Sequence, residues 1–180
     1  MREPEPETIG RARAGDLRAV ESLVRACQAD VWRFAYHLTR NPTRADDVTQ
    51  ETFLRMFRSL GSYRGDRAKF SSWLLRIARN CATDLYRKTR REEPWEDVGS
   101  AAVGSTGVGS VEDRIQISEA LRRLPPELRE PFVVIEVLGY DYREASAILE
   151  VKVGTLKSRM HRARAELMHS LGTPEATGEV

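Results

Sequence analysis

Apolar residues recur three or four positions apart along most of the chain, which predicts amphipathic helices. Long helices are expected from Leu17 to Leu38, from about Arg44 to Leu60 and from about Lys69 to Arg90. A shorter helix is expected at Thr8–Ala14, ended by the glycine that follows it. No segment shows the two-residue alternation of a half-buried strand. The chain is therefore predicted to be all-α.

Helical spacing resumes near Asp113 and ends in a pair of helices from Tyr142 to Leu167, joined by a tight turn. On the last helix one face is apolar and consists of Leu156, Met160, Ala163 and Leu167. A different face carries side chains that a core does not need: Lys157, Ser158, His161 and Arg162. Thr155, near the start of this helix, is suited to hold a phosphate. This pattern is typical of a helix-turn-helix that reads the major groove of duplex DNA.

The composition changes between the two halves of the chain. Gly, Ser, Ala and Val dominate residues 99–111 without a helical or strand period, so residues 92–112 are predicted to be a flexible linker. The linker separates a first module, residues 8–91, from a second module, residues 113–171. Residues 1–7 (MREPEPE) are polar and contain proline, so we expect them to be frayed, and residues 172–180 to be disordered.

Basic residues are concentrated in two places, although the formal net charge is only +2. Residues 72–91 contain Arg76, Arg79, Arg87, Lys88, Arg90 and Arg91 against Asp84 alone. Residues 152–164 contain Lys152, Lys157, Arg159, Arg162 and Arg164 without any acid. Two separate basic patches indicate a polyanionic partner. The alternative for either patch alone is a solvated helix face.

The basic patch of the first module is interleaved with aromatic and amide side chains, namely Tyr63, Phe70, Trp73 and Asn80. Aromatic rings and arginine stack on unpaired bases, asparagine reads a base edge, and the cations hold phosphates. This composition favours single-stranded nucleic acid. The alternative for Trp73 is an ordinary core residue.

The helix at about 44–60 has a second distinctive face. Asp47, Gln50, Glu51 and Arg55 share one side, at three- and four-residue spacings. The apolar residues Ala45, Val48, Phe53, Met56, Phe57 and Leu60 are expected to pack inward. Spacing alone leaves open whether the polar face is solvated or docks on a partner.

The sequence lacks the patterns expected of an enzyme or a membrane protein. It has no nucleophile–base pair, no glycine-rich phosphate loop and no metal-ligand spacing, so we expect no catalysis, metal or cofactor. Cys27 and Cys81 lie in helical patterns among apolar residues, which favours buried, reduced thiols over a redox switch. No apolar run approaches the length of a membrane helix and the amino terminus is not a signal peptide, so we expect a cytoplasmic protein without membrane insertion.

Several short segments, taken in order, resemble a known family. They are Asp46-Asp47-Val48-Thr49-Gln50-Glu51-Thr52-Phe53, Tyr63-Arg64-Gly65-Asp66, Ser72-Trp73-Leu74-Leu75-Arg76-Ile77-Ala78-Arg79-Asn80, Leu124-Pro125-Pro126 and Val153-Gly154-Thr155-Leu156-Lys157-Ser158-Arg159, the last continuing into His161-Arg162-Ala163-Arg164. Each segment is weak alone, but their order and spacing over residues 8–170 are specific. The chain resembles an extracytoplasmic-function (ECF, group 4) sigma factor of bacterial RNA polymerase.

The resemblance implies two helical domains joined by a linker, a sigma region 2 at residues 8–91 and a sigma region 4 at 113–171. It implies that Asp47, Gln50 and Glu51 bind the clamp helices of the polymerase β′ subunit, while the second module meets the β flap. It places the melted minus-ten strand at Tyr63, Phe70, Trp73, Arg76, Asn80, Arg87 and Lys88, with one flipped base in a pocket that includes Asn80. It places the minus-35 duplex at Thr155, Lys157, Ser158, His161 and Arg162. It also implies that an anti-sigma protein is the regulator.

Two other functions fit the residues alone. The chain could be a helix-turn-helix repressor or activator whose first half dimerises or senses a signal, which predicts tight duplex binding without polymerase. It could also be a protein-binding adaptor that resembles a sigma factor. The function of an adaptor would survive removal of the charges at Lys157 and Arg162.

Overall fold

The computed structural model describes residues 1–66, 68–89 and 111–172, and the side chains of all of these except 111–115 and 172. Every regular element in these ranges is helical, as the all-α prediction requires. The elements are α1 (Pro6–Arg13), α2 (Leu17–Thr39), α3 (Pro42–Ser59), a 3₁₀ turn (Leu60–Ser62), α4 (Phe70–Thr89), α5 (Val111–Arg123), α6 (Pro126–Phe132), a π-helical segment (Val133–Val137), α7 (Tyr142–Leu149) and α8 (Val153–Gly172).

Two of the predicted irregular segments lie mostly outside the described residues. Of the predicted linker, 92–112, only the last two residues are described, and they begin α5. Of the predicted tail, 172–180, only Gly172 is described, and it ends α8.

Polar side chains cap the long helices where the chain changes direction. The Asp16 carboxylate accepts hydrogen bonds from the backbone N–H groups of Arg18 and Ala19 and so caps α2. Asn41 caps α3 by accepting from the backbone N–H of Arg44 at 3.0 Å. Asn41-Pro42 is therefore both the helix break and the helix start, because proline at the first position needs no hydrogen-bond partner.

The first module is built on α2, α3 and α4, which pack against one another through their apolar faces. Its largest fully buried side chains are Leu23, Val31, Phe34, Met56, Phe70, Leu74 and Leu75. A smaller cluster on the same three helices joins Ala35, Tyr36, Ala45, Val48, Cys81 and Ala82. Burial on this scale stabilises the domain by roughly 1.5–3 kcal/mol for each large side chain.

The second module contains one irregular helix. Pro131 lies inside α6, where it has no N–H to donate, and the helix widens immediately afterwards into the π-helical segment. The widened turn is visible in the bond from the Leu138 N–H to the Val133 carbonyl, five residues back, at 2.9 Å. A separate core of this module joins α5 and α6 to α8 through Ala120, Leu121, Leu124, Leu128, Ala163 and Leu167.

The two modules share a core, which the sequence did not predict. One continuous cluster contains Phe70, Leu74 and Ala78 of α4 together with Tyr140, Ala145 and other residues of the second module. Two ion pairs cross the same boundary, Arg79–Glu130 at 3.0 Å and Lys69–Glu144 at 2.6 Å.

The acidic leader is bound to the first module, so the expectation that residues 1–7 are frayed was wrong. The Glu3 carboxylate accepts hydrogen bonds from the backbone N–H groups of Phe70 and Ser71. Helix α1 follows directly and buries Ile9 and Ala12. The composition of the leader gave no indication of this contact, because its partner lies at the start of α4.

Both cysteines are buried and unpaired, as the helical pattern predicted. Burial raises the pKa of the Cys27 thiol to about 12, and burial also raises that of Cys81. A thiol with so high a pKa carries about a thousandth of the thiolate of an ordinary cysteine.

We therefore expect Cys27 of the native chain to react with Ellman's reagent at pH 8 at least about a hundredfold more slowly than in guanidinium. A Cys81→Ser variant isolates the Cys27 signal, and absorbance of the released thiolate gives the rate. Equal rates in the two solvents would show that Cys27 is accessible and able to act as a redox sensor.

Candidate functional site

The helix pair α7–α8 is defined by local signals at both ends of α7. Asp141 and Glu144 form a reciprocal capping box at its start, with bonds of 2.8 and 3.0 Å. At its end Glu150 adopts a left-handed conformation with φ 55°, which turns the chain tightly into α8. The predicted apolar stripe of α8 then packs inward, and Leu156, Met160, Ala163 and Leu167 are all buried.

Packing of that stripe leaves the predicted DNA-binding face of α8 in solvent. The five residues assigned to it are all exposed: Thr155, Lys157, Ser158, His161 and Arg162. The Ser158 hydroxyl donates to the Thr155 carbonyl at 2.9 Å, which leaves its oxygen free to accept. In the described part of the chain neither Lys157 nor Arg162 forms an ion pair, whereas Arg164 binds Glu136 at 2.5 Å.

The predicted polar face of α3 lies on the surface, and ion pairs hold part of it in place. Asp47 and Gln50 are exposed, and Glu51 is partly exposed. The Glu51 carboxylate accepts from Arg55 at 2.7 Å, and Arg55 also binds Asp84 of α4 at 2.7 Å. These two carboxylates raise the pKa of Arg55. The Glu51 side chain is thus held in one orientation on the surface of the helix.

The same side of α3 carries two exposed apolar residues that the sequence analysis did not assign to it. Leu54 is 46% exposed and Phe57 is 53% exposed. The expectation that Phe57 packs inward was therefore wrong, because the buried face of α3 is set by Ala45, Val48, Thr52 and Met56. A spacing of three or four residues connects Asp47, Gln50, Leu54 and Phe57 in turn, so they share one side of the helix. We call these four residues together with Glu51 the α3 face. The same spacing was the signal in the sequence that could have placed Leu54 and Phe57 on this face.

The aromatic residues assigned to unpaired DNA pack on one another in this conformation. Ring centroids of Tyr63, Phe70 and Trp73 are 5.1–5.6 Å apart. Tyr63 is 6% exposed, Phe70 is 0% exposed and Trp73 is partly buried. We call these three residues the aromatic cluster. The alternative role given to Trp73 in the sequence analysis, that of an ordinary core residue, therefore fits its position in this conformation.

The remaining residues assigned to the melted strand form an accessible stripe along α4. Arg76, Asn80 and Arg87 follow Trp73 at helical spacing, and Asn80, Arg87 and Lys88 are exposed while Arg76 is partly buried. Asn80 borders a surface cavity of about 340 Å³ whose other walls are Arg55, Arg58, Ser59 and Ile77. The two arginines of α3 at this cavity were not predicted, since they come from the neighbouring helix.

Two observations limit other kinds of site in the described residues. No group of three histidine, cysteine or acidic side chains there is arranged to hold a metal ion. None of the helices described is both long and apolar enough to span a membrane.

Comparison with protein families identifies both modules. Residues 23–92 match the model of Sigma-70 region 2, and residues 114–167 match that of Sigma-70, region 4. The chain is 37% identical to the ECF RNA polymerase sigma factor SigE of Mycolicibacterium smegmatis, over 92% of this chain and 68% of that protein. It is 38% identical to the ECF sigma factor SigM of Mycobacterium tuberculosis, over 88% of this chain and 80% of that protein.

Solved structures agree with this result. CnrH, determined in complex with the cytosolic domain of CnrY, superimposes with a TM-score of 0.71 at 28% identity, covering 92% of this chain and 95% of CnrH. RpoE of Bartonella quintana, determined with the anti-sigma factor NepR, also gives 0.71 at 25% identity, covering 86% of this chain and 98% of RpoE.

A helical region 2 followed by a helix-turn-helix region 4 defines a promoter-directing subunit of bacterial RNA polymerase. The chain belongs to the sigma-70 family, in its ECF group. It is a transcription initiation factor that acts with RNA polymerase at promoter DNA.

Proposed function

We propose that residues 8–91 dock on core RNA polymerase and receive the melted minus-ten strand, and that residues 113–171 bind the minus-35 duplex. The observation that carries the proposal is the division of α8 into a fully buried stripe and an exposed donor face. A helix divided in this way enters a major groove without exposing its core.

Duplex recognition is assigned to Thr155, Lys157, Ser158, His161 and Arg162. Lysine and arginine donate to the acceptors of guanine, and serine bonds either bases or phosphate. Lys157 and Arg162 have no ion-pair partner in the described residues, so binding them to DNA breaks no ion pair. Arg164 lies on the same helix but is held by Glu136.

Docking on polymerase is assigned to the α3 face. Asp47, Gln50 and Glu51 supply polar contacts, and Leu54 and Phe57, one turn further along α3, supply exposed apolar area. Aromatic anchors flanked by polar groups carry most of the free energy in protein interfaces. The β′ clamp helices are the proposed partner of this face, and the β flap that of the second module.

Handling of the melted strand is assigned to the start and outer stripe of α4, from Tyr63 and Phe70 through Trp73, Arg76 and Asn80 to Arg87 and Lys88. The cavity beside Asn80 is also lined by Arg58 and by Arg55, which is already paired with Glu51 and Asp84, and a basic lining suits a flipped base next to its own phosphates.

Regulation by an anti-sigma protein is supported by the two solved relatives. CnrH was determined in complex with the cytosolic domain of CnrY, and RpoE with the anti-sigma factor NepR. Both superimpose over more than four-fifths of this chain, so a protein that covers the two modules together is the proposed regulator here.

Run-off transcription tests the proposal as a whole. Core RNA polymerase from the same organism is incubated with the full chain and a library of genomic fragments, and transcripts are sequenced. Initiation at a defined set of start sites that depends on the chain is expected. Tight duplex binding without core, and no start sites with core, would support a repressor or activator instead.

Truncation of the apolar part of the α3 face should weaken core binding without unfolding the protein. We expect Leu54→Ala and Phe57→Ala each to cost about 1 kcal/mol or more in affinity for core polymerase, roughly fivefold, measured by anisotropy of the labelled chain. Leu17→Ala is the matched control, because Leu17 is 71% exposed at the start of α2. Equal losses at all three positions would remove the α3 face from the interface.

The two arginines of α8 should differ in their effect on promoter affinity. Arg162→Ala is expected to cost about 1–3 kcal/mol in holoenzyme binding to the strongest promoter found by run-off, if it contacts a base. Arg164→Ala is expected to cost less than about 0.5 kcal/mol, since its partner is Glu136. An equal loss of affinity in the two variants would show that DNA binding depends on the overall positive charge of α8. An unchanged affinity in Arg162→Ala would exclude Arg162 from the duplex interface.

A further inference from the structure

A second cavity, of about 590 Å³, lies between the two modules. Its walls come from the end of α2, from the second half of α4 and from α6. Its volume is within the range of about 300–1,000 Å³ that is usual for small-molecule sites. None of the described residues that line it was assigned above to polymerase, to the melted strand or to the duplex. The cavity is therefore unexplained by the proposed function and independent of it.

Arginine side chains dominate the polar part of this cavity. Arg40 enters it from the end of α2, Arg79 from α4 and Arg129 from α6. Among the described residues that line the cavity Glu130 is the one carboxylate, and it is bound to Arg79 at 3.0 Å. The lining thus carries more guanidinium groups than carboxylates, which gives the cavity a positive potential.

The most unusual of these side chains is that of Arg129. It is only 5% exposed, although arginine is almost never fully buried without a partner. Its Nη1 donates to the Leu124 carbonyl at 3.4 Å, and its Nε has no hydrogen-bond partner in the described part of the chain. No carboxylate of the described residues forms an ion pair with it. A buried cation costs free energy unless an anion compensates it.

A second guanidinium meets Arg129 at the same carbonyl oxygen. Arg40 Nη2 donates to the Leu124 oxygen at 3.3 Å, so both arginine heads lie within 3.4 Å of one atom. Two like charges this close repel each other, and an anion between them would remove the repulsion. The backbone of Arg40 is also left-handed, with φ 56°, a conformation that costs more for arginine than for glycine.

Two guanidinium groups that face one point suit a phosphate, because each can donate parallel hydrogen bonds to two phosphate oxygens. Beside them Leu38, Ala82 and Tyr86 add apolar wall. We propose that this cavity is a binding site for a small organic phosphate. Its phosphate group lies against Arg40 and Arg129, and its apolar body lies against Leu38 and Tyr86.

Such a ligand would join the two modules. Arg40 belongs to the first module and Arg129 to the second, so a phosphate bound by both makes contacts that exist only when the modules are together. A ligand that binds one arrangement of a protein stabilises that arrangement by mass action. The concentration of a small phosphate would therefore bias the chain toward the arrangement seen here.

Binding is tested by isothermal titration calorimetry of the full chain with 1-naphthyl phosphate, which carries both parts of the ligand. The control compounds are 1-naphthol, which lacks the anion, and inorganic phosphate, which lacks the apolar body. We expect 1-naphthyl phosphate to bind at least about tenfold more tightly than either control compound and to raise the melting temperature. Equal affinities for the three compounds, or no binding of either phosphate, would overturn the proposal.

A methionine at position 129 separates a ligand site from a structural role, since it keeps a long unbranched side chain and removes the charge. We expect Arg129→Met to weaken binding of 1-naphthyl phosphate at least about tenfold. The melting temperature without ligand should stay the same or rise, because a buried cation without an anion is removed. Arg143→Met removes an exposed charge of α7 and should change neither quantity. A lower melting temperature with unchanged ligand affinity would show that Arg129 only holds the end of α5, and would overturn the proposal.

A second variant changes the affinity in the direction that damage to the fold cannot imitate. Glu130→Gln removes the negative charge from the cavity, while its amide oxygen can still accept the hydrogen bond from Arg79. We expect Glu130→Gln to bind 1-naphthyl phosphate at least about threefold more tightly than the native chain, because repulsion of the phosphate is lost. Unchanged or weaker binding in Glu130→Gln would overturn the phosphate site.

Discussion

Helix α4 is used by both modules, and this double use constrains the rest of the structure. Its apolar side contributes Phe70, Leu74 and Ala78 to a core that also contains residues of α7 and the π-helical segment. Arg79 on its polar side, and Lys69 immediately before its first residue, form ion pairs with the second module. A surface of α4 that packs against the second module is not open to DNA at the same time. The side of α4 that carries Phe70, Leu74 and Ala78 is therefore covered, whereas its surface around Asn80 is exposed.

Charge pairing divides the basic residues into two groups. Arg55, Arg79 and Arg164 are held by carboxylates of neighbouring helices and serve mainly to fix those helices together. In the described residues Lys157 and Arg162 have no such partner and remain exposed on α8. Basic residues that are close in the sequence thus have different roles, and the count of charges in a segment overstates the number that a polyanion can reach.

Local periodicity was sufficient to predict the helices and the two faces of α8. The residues at 156, 160, 163 and 167 are buried and those at 157, 158, 161 and 162 are exposed, because a helix backed by a core has one rotation that fits. Periodicity did not resolve Phe57, since two adjacent apolar residues, Met56 and Phe57, compete for one buried position on α3. The resemblance to a family supplied the roles of the residues, which spacing had left open. The binding of Glu3 to α4 and the shared core had no local signal, because each joins segments far apart in the chain.

The π-helical segment after Pro131 has a consequence for the register of α6. A π turn holds one residue more than an α turn, so it is equivalent to a single inserted amino acid in an otherwise α-helical run. Because the π turn absorbs the extra residue locally, removing one residue from Val133–Val137 would restore the α period and leave the chain after it in nearly the same orientation relative to α6. The ion pair of Glu136 with Arg164 and the burial of Tyr140 in the shared core would then be kept. Homologous chains that differ by one residue at this point would be expected to join their two modules at a similar angle.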